Sequence, residues 1–306
     1  MKITNEIVTE RAKSLGFDLV GFAKAEILNE EADHLREWLD KGFQAGMKYM
    51  ERNSDKRKDI KLVFPGAESV ISLGLNYYTP DRHFENEEEG KISRYAWGKD
   101  YHIIIWEKLR LLEKTLKEID PEFRSLSYVD TGPVMDKAWA VRAGTGWLGK
   151  HTNVINPAIG SWFFIANIIT DYKFDYSEIM TDHCGSCTAC IEACPTNAIV
   201  DEYVLDSNKC ISYLTIENKD EIPVSYKGKF DKWIFGCDIC QDVCPWNIKF
   251  SEICATQEFN PAEGNTGISV NDVLEMDKRA FNEKFRESPV KRTKLSGLKR
   301  NASFLL

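Results

Sequence analysis

The first 183 residues of this 306-residue chain contain no cysteine at all. The opening stretch, MKITNEIVTERAKSL, lacks the apolar core of a secretory signal, which predicts no export. Long hydrophobic runs are missing too. The most apolar stretch, near WFFIANIIT at 162–170, is far too short to span a bilayer and carries the polar Asn167. No G-x-G-x-x-G follows a strand-like run, so a dinucleotide site is unsupported. Internal repeats and low-complexity tracts are absent. Net charge is −8, which gives no general electrostatic case for nucleic acid. The composition, 43% hydrophobic and 29% charged, fits a soluble globular protein long enough for two domains. A cytoplasmic protein without membrane contact is expected.

What is present falls into three parts. Residues 1–175 read as α/β. Ile3, Ile7, Val8, Ala12 and Leu15 recur at helical spacing, and Leu19–Ala23 follows as a short apolar strand. Ser69–Leu75 has strand composition after a Pro65-Gly66 turn. Ile105, Leu109, Leu112, Leu116 and Ile119 define one buried helix face. Ser125–Val129 predicts a strand that delivers Asp130 to its end, with Gly132-Pro133 turning into a helix, and 162–170 predicts a central strand. Asp130 there reads either as a group placed for chemistry or as a cap of the helix expected near Pro133. Residues 176–250 have little periodicity and many cysteines, and 251–306 close with two or three helices, Leu295, Leu298, Ala302 and Leu305 being helix-spaced. Two basic stretches interrupt the acidic balance: Arg52, Lys56, Arg57, Lys58 and Lys61, then Lys291, Arg292, Lys294, Lys299 and Arg300. Each reads first as solvated surface, although a local patch can still hold phosphates.

The nine cysteines cluster between 184 and 254, and in a chain that is not exported such clustering favours metal over disulfides. Residues 184–195, CGSCTACIEACP, follow C-x2-C-x2-C-x3-C-P. Three thiolates of such a loop hold one cubane, while the cysteine before proline ligates the other. Residues 237–245, CDICQDVCP, repeat the ending without its first cysteine, for which Cys210 substitutes. Crossing the two Cys-Pro residues predicts two [4Fe–4S] clusters. The first takes Cys184, Cys187, Cys190 and Cys244; the second takes Cys194, Cys210, Cys237 and Cys240. A zinc site needs only four ligands and has no use for two Cys-Pro ends. Cys254 is left over as an ordinary buried thiol.

Further stretches carry a resemblance: ISRYAWGKDYH (92–102), VDTGPVMDKAWAVRAGTGWLGKHTN (129–153), GSWFFIANIITD (160–171), CISYLTIE (210–217), FNEKFRESPVKR (281–292) and LKRNA (298–302). With the cysteine array, the chain resembles the epoxyqueuosine reductases over about 90–300. That family reduces the epoxide of epoxyqueuosine at the tRNA wobble position to queuosine, using cobalamin and two [4Fe–4S] clusters, and is related to reductive dehalogenases. The resemblance implies a reductive dehalogenase-like α/β corrinoid-binding domain over 1–175. A ferredoxin-like two-cluster domain over 176–250 and a short C-terminal helical segment over 251–306 follow it. Longer members continue past the LKRNA region into helical repeats, whereas this sequence stops at Leu306.

By the same resemblance Asp130, in VDTGP, matches the family's proton donor, with a pKa expected to be raised by burial beside the corrin. Asp136 is the competing acid, expected to be structural. Arg57, Tyr95, Trp97, Asp130, His151, Asn153 and Ser212 are expected around the corrin or its side chains, Tyr95 and Trp97 having the alternative of core packing. No D-x-H-x-x-G is present, Asp81-Arg-His83 and Asp100-Tyr-His102 lacking the glycine, so base-off cobalamin without a protein histidine ligand is expected. Lys291, Arg292, Lys294, Lys299 and Arg300 become candidates for tRNA phosphates. An external donor such as a flavodoxin or ferredoxin is expected to reduce a monomeric enzyme. The rival readings are a dehalogenase-like reductase of a small molecule and a plain electron carrier.

Overall fold

The computed structural model describes residues 2–83, 86 and 88–306. The N-terminal part runs through α1 (Asn5–Ser14), β1 (Leu19–Lys24), α2 (Asn29–Asp40), α3 (Ser54–Lys58), β2 (Ser69–Asn76), β3 (Glu89–Ile92) and α4 (Tyr101–Ile119). It continues with β4 (Ser125–Tyr128), α5 (Asp136–Arg142), the short strands β5 (Trp147–Leu148) and β6 (Val154–Ile155), and β7 (Phe163–Thr170). The main sheet has the order β1-β2-β7-β4 with every neighbour antiparallel, and the parallel pairing among the described strands is that of β10 with β3 in a smaller sheet. β7 pairs with both β2 and β4, which is the central position its apolar run predicts. All eight residues of β2 are buried, as a strand covered on both faces requires.

One face of that sheet carries α1 and α4. Ile105, Leu109, Leu112 and Leu116 are fully buried against Leu73, Leu75, Ala166 and Ile168. Asp100 caps α4, accepting the His102 N–H at 3.0 Å. The other face receives α5, where Trp139 and, just past the helix end, Ala143 pack on Val70 and Ile169.

The cysteine-rich part comprises α6 (Ala189–Ala193), the pair β8 (Ile199–Asp201) and β9 (Val204–Leu205), α7 (Ile211–Ile216), β10 (Trp233–Phe235), α8 (Ile239–Asp242) and α9 (Pro245–Phe250). The chain then closes through β11 (Gly267–Ser269), α10 (Val270–Glu275), α11 (Lys278–Lys284) and α12 (Lys294–Leu305). A three-stranded sheet, β10-β3-β11, takes one strand from each of the three stretches that the sequence divides. Asn301 of α12 donates to the Thr215 and Ile234 carbonyls, 2.8 Å each, and Thr293 Oγ1 donates to Thr215 O at 3.0 Å. Among the described residues no helix is long and apolar enough to cross a membrane.

Two sequence expectations are corrected here. The helix predicted near Pro133 begins at Asp136, because Asp130 (φ +49°) and Gly132 (φ +131°) hold the intervening loop in left-handed backbone. Asp130 therefore does not cap it; Met135 stands at the cap position without a side-chain bond.

Candidate active site

Where the main sheet ends against the cysteine-rich part, a cavity of about 1200 Å³ opens. That exceeds the roughly 300–1,000 Å³ of ordinary small-molecule pockets. Its floor includes Cys194, Cys210, Cys237 and Cys240, its walls Tyr95, Tyr101 and His151, and its rim Asp130, Lys291 and Arg292.

All nine cysteines are free thiols, and Cys187 is the exposed one among them. Their mutual influence separates them into sets. Cys190 is pushed up to about 11, first by burial and then by the charges of Cys244, Cys184 and Cys187. Cys240 is raised by burial and then by Cys210 and Cys194, while Cys237 is raised by burial, Cys240 and Cys210. Thiols crowded so that each opposes its neighbour's ionisation favour a positively charged centre among them. Cys190 also touches the field of Cys240, so the two sets adjoin. Among the described residues no three His, Cys, Asp or Glu side chains converge on a single-ion point. A cubane takes its thiolates at separate corners, so its donors need not converge.

Asp130 stands exposed on its left-handed loop, and the Tyr101 hydroxyl donates to its Oδ2 at 2.8 Å. The burial expected around this carboxylate is not supplied by the protein's own side chains. Asp136 has the opposite environment. It accepts from Asn167 Nδ2 at 2.7 Å, and burial pushes its carboxyl up to about 7.

His151 is buried, and its Nδ1 accepts the Asn153 backbone N–H at 3.2 Å. Burial, with Lys137 adding to it, lowers the imidazole to about 4, so it is neutral and its proton sits on Nε2. That Nε2–H has no partner among the described residues. It is a donor waiting on the cavity wall, and in this tautomer it offers no lone pair to a metal. Asn153 Oδ1 and Thr152 O receive the Lys137 ammonium at 2.9 and 2.8 Å. Arg57 is buried on the wall, donating to the Arg52 and Tyr49 carbonyls at 3.4 and 3.3 Å. Tyr95 and Ser212 also line the cavity.

Trp97 does not belong with them. Its ring is completely buried in the core of β3 and the C-terminal helices, and its indole N–H donates to Ile92 O at 2.7 Å. Arg300 is a second correction: its guanidinium donates to the carbonyls of Leu214, Asn218 and Asp220, leaving it spent on backbone that α7 exposes at its end. Lys294 and Lys299 lie off the cavity lining, so only Lys291 and Arg292 of the terminal basic stretch reach the rim. The sequence reading missed Tyr49, Tyr101, Lys137 and Glu217. Lys137 sits beside Asp136 in VMDKAW and Tyr101 in the quoted GKDYH, but no spacing singles them out.

Comparison with known proteins agrees with this geometry. Residues 183–247 match a family model described as a 4Fe-4S double cluster binding domain, and residues 57–131 one described as epoxyqueuosine reductase QueG, DUF1730. The epoxyqueuosine reductase of Cellulophaga algicola is 48% identical over 301 residues, 98% of this chain and 97% of that protein. That of Synechocystis is 44% identical over 275 residues, 90% and 94% of the two chains. Among solved structures, epoxyqueuosine reductase with an epoxyqueuosine-modified tRNA-Tyr stem loop superposes with a TM-score of 0.92 at 34% identity, covering 98% of this chain and 80% of that one. The Bacillus subtilis enzyme, with its catalytic aspartate loop swung out of the active site, gives 0.91 at 33% identity over the same shares. Relatives this similar over nearly the whole length make the chain an oxidoreductase that belongs to the epoxyqueuosine reductase family.

Proposed function

We propose that this chain reduces the epoxide of epoxyqueuosine in the anticodon loop of tRNA to the alkene of queuosine. The balance is two electrons and two protons taken up and one water released. One observation carries the reading: an accessible carboxylate, Asp130, and four of the eight motif cysteines line the same cavity. An acid and a redox donor set that share a chamber suit a reaction that needs both.

The sets Cys184, Cys187, Cys190, Cys244 and Cys194, Cys210, Cys237, Cys240 would hold the two clusters. Their mutual raising of thiol pKa supports that division. The cavity's volume and the unpartnered Nε2–H of His151 fit a large polar macrocycle, and Arg57, Tyr95, His151, Asn153 and Ser212 would hold cobalamin there. When bound, the clusters supply single electrons and cobalamin a low-valent cobalt able to open a strained C–O bond. His151 donates from Nε2, consistent with a base-off corrinoid without a histidine ligand. Lys137 orients the 152–153 backbone that carries His151's partner.

Asp130 delivers a proton to the departing oxygen. Tyr101, donating to Oδ2, fixes the carboxyl and leaves Oδ1 for the substrate. The exposed Cys187 is where an external one-electron donor such as a flavodoxin or ferredoxin would meet the first cluster. Lys291 and Arg292 supply positive charge for tRNA phosphates at the rim.

The test is anaerobic turnover of an epoxyqueuosine-bearing stem loop by cobalamin-loaded protein, followed as loss of one oxygen mass. Asp130→Asn is expected to lower the rate about 10²-fold or more while iron and cobalamin contents stay at parental levels. Parental turnover in that variant removes Asp130 from the role, and no turnover by the loaded parent removes the substrate.

A further inference from the structure

The rim of the cavity carries an aromatic ring that the redox chemistry leaves unused. Tyr49, between α2 and α3, lines the cavity yet is 44% exposed. Its backbone carbonyl accepts from Arg57. Among the described residues no hydrogen bond engages its hydroxyl and no second aromatic ring packs on its face.

Arg292 lies on the same rim and is set in place by Glu217, Nε to Oε1 at 2.6 Å and Nη2 to Oε2 at 3.1 Å. The Glu217 side chain is four-fifths buried and that of Arg292 60% exposed, and among the described residues no hydrogen bond engages Arg292 Nη1. A guanidinium already fixed in one orientation loses little rotamer freedom when it takes an anion. Tyr49 and Arg292 line the same cavity. Burial is the largest influence on the phenol and the Glu217 hydrogen bond the largest on the guanidinium, but each also feels the other and Asp130.

An exposed aromatic ring and a preset cation lining one cavity, which the acid also lines, make the pairing by which single-stranded RNA is held: bases stack on the ring and phosphates meet the charge. We propose that Tyr49 stacks on a nucleobase of the anticodon loop while the Glu217-held Arg292 takes an adjacent backbone phosphate, clamping the loop over Asp130. This rests on the tRNA substrate proposed above and assigns the residues that recognise it. Tyr49 is a binding residue and Glu217 a positioning residue, acting through Arg292.

The experiment is fluorescence anisotropy of a fluorescein-labelled, epoxyqueuosine-bearing anticodon stem loop with cluster-loaded full-length protein, titrated at several salt concentrations. Tyr49→Ala and Tyr49→Leu are expected to weaken binding about tenfold, about 1.4 kcal/mol, without changing the salt slope, and Tyr49→Phe to retain it. Arg292→Gln is expected to flatten the slope of log affinity against log salt by about 0.7, the increment of one phosphate contact on a single strand. Arg279→Gln, which removes a charge outside the cavity, leaves both readings at parental values. Equal iron content and unfolding midpoint establish that each variant is folded. Affinity of Tyr49→Ala and Tyr49→Leu within twofold of the parent overturns the clamp while the substrate stands. A parent that does not bind the stem loop overturns both.

Discussion

Two carboxylates six positions apart, Asp130 and Asp136, illustrate how environment divides roles between like residues. Asp130 reaches the cavity on a strained loop and keeps one oxygen free; Asp136 lies behind it, bonded to Asn167. Burial holds the Asp136 carboxyl at about 7 against 3.8 for the ordinary group. The sign follows from linkage. Below pH about 4 both folded and unfolded chains carry it neutral and there is no effect. As pH rises towards 7 only the unfolded chain ionises, so folding loses stability until the folded carboxyl ionises as well. Asp136→Asn removes this loss and keeps an acceptor for Asn167. It is expected to be more stable than the parent by about 2–4 kcal/mol at pH 8 and nearly equal at pH 4, by chemical unfolding at both values. A difference independent of pH would show that the carboxyl is not held neutral. His151 acts in the opposite sense: its buried neutral ring makes stability fall as pH drops from about 6.5 to about 4.

Elements place these residues through close backbone contacts. β1 crosses under the end of α5 at Gly21, where an added Cβ would lie 2.0 Å from the Ala143 carbonyl oxygen and 2.9 Å from Thr145 Cγ2. The carbonyl belongs to the turn that ends α5 and cannot swing aside. At Gly74 on β2 the neighbours are Leu19 Cβ and Cδ1, each at 2.9 Å: Cδ1 can rotate away, and the Cβ contact, longer by 0.9 Å than that at Gly21, needs only a small shift of β1. Gly21→Ala is therefore expected to cost about 2–3 kcal/mol and Gly74→Ala distinctly less, read as urea midpoints at unchanged slope. Equal costs would mean that α5 is free to move off the sheet. The four strands of the main sheet and the long helix α4 were legible because alternation, apolar runs and 3.6-residue spacing are local signals. The start of α5 was not, because left-handed backbone at Asp130, a residue with a Cβ, leaves no mark in composition. Nor did local pattern distinguish an antiparallel sheet from a parallel one, since β2 and β7 are buried on both faces and lose their alternation.

At the scale of the whole molecule, the proposed exchange of Pro-flanked cysteines would tie residues 184–194 to 237–244, and Asn301 fastens α12 to α7 and β10 of the cysteine-rich part. The crossing has a direct consequence. Cys244→Ser is expected to produce the same lesion as Cys187→Ser, loss of one cluster with about four irons kept per chain. Cys194→Ser is expected to match Cys210→Ser, with a different residual electron paramagnetic resonance signal. Cys244→Ser matching Cys210→Ser instead would overturn the crossed assignment. The C-terminal helix has a related part: Asn301 satisfies two carbonyls in the cysteine-rich part, and Arg300 three more. A basic residue in LKRNA is thereby structural, while Arg292 in SPVKR reaches the cavity rim.

From sequence alone came the two-cluster cysteine pattern, the mixed α/β build and the family, because ligand spacing along one loop and repeated apolar positions are written in consecutive residues. Only the folded chain decided that Trp97 packs in a core while Tyr95 lines the cavity, that Arg300 is consumed by backbone, and that Glu217 holds Arg292 on the cavity that Tyr49 also lines. Those outcomes depend on which unpaired carbonyls, rings and charges distant segments bring together, and burial and hydrogen-bond satisfaction act only once those segments have met.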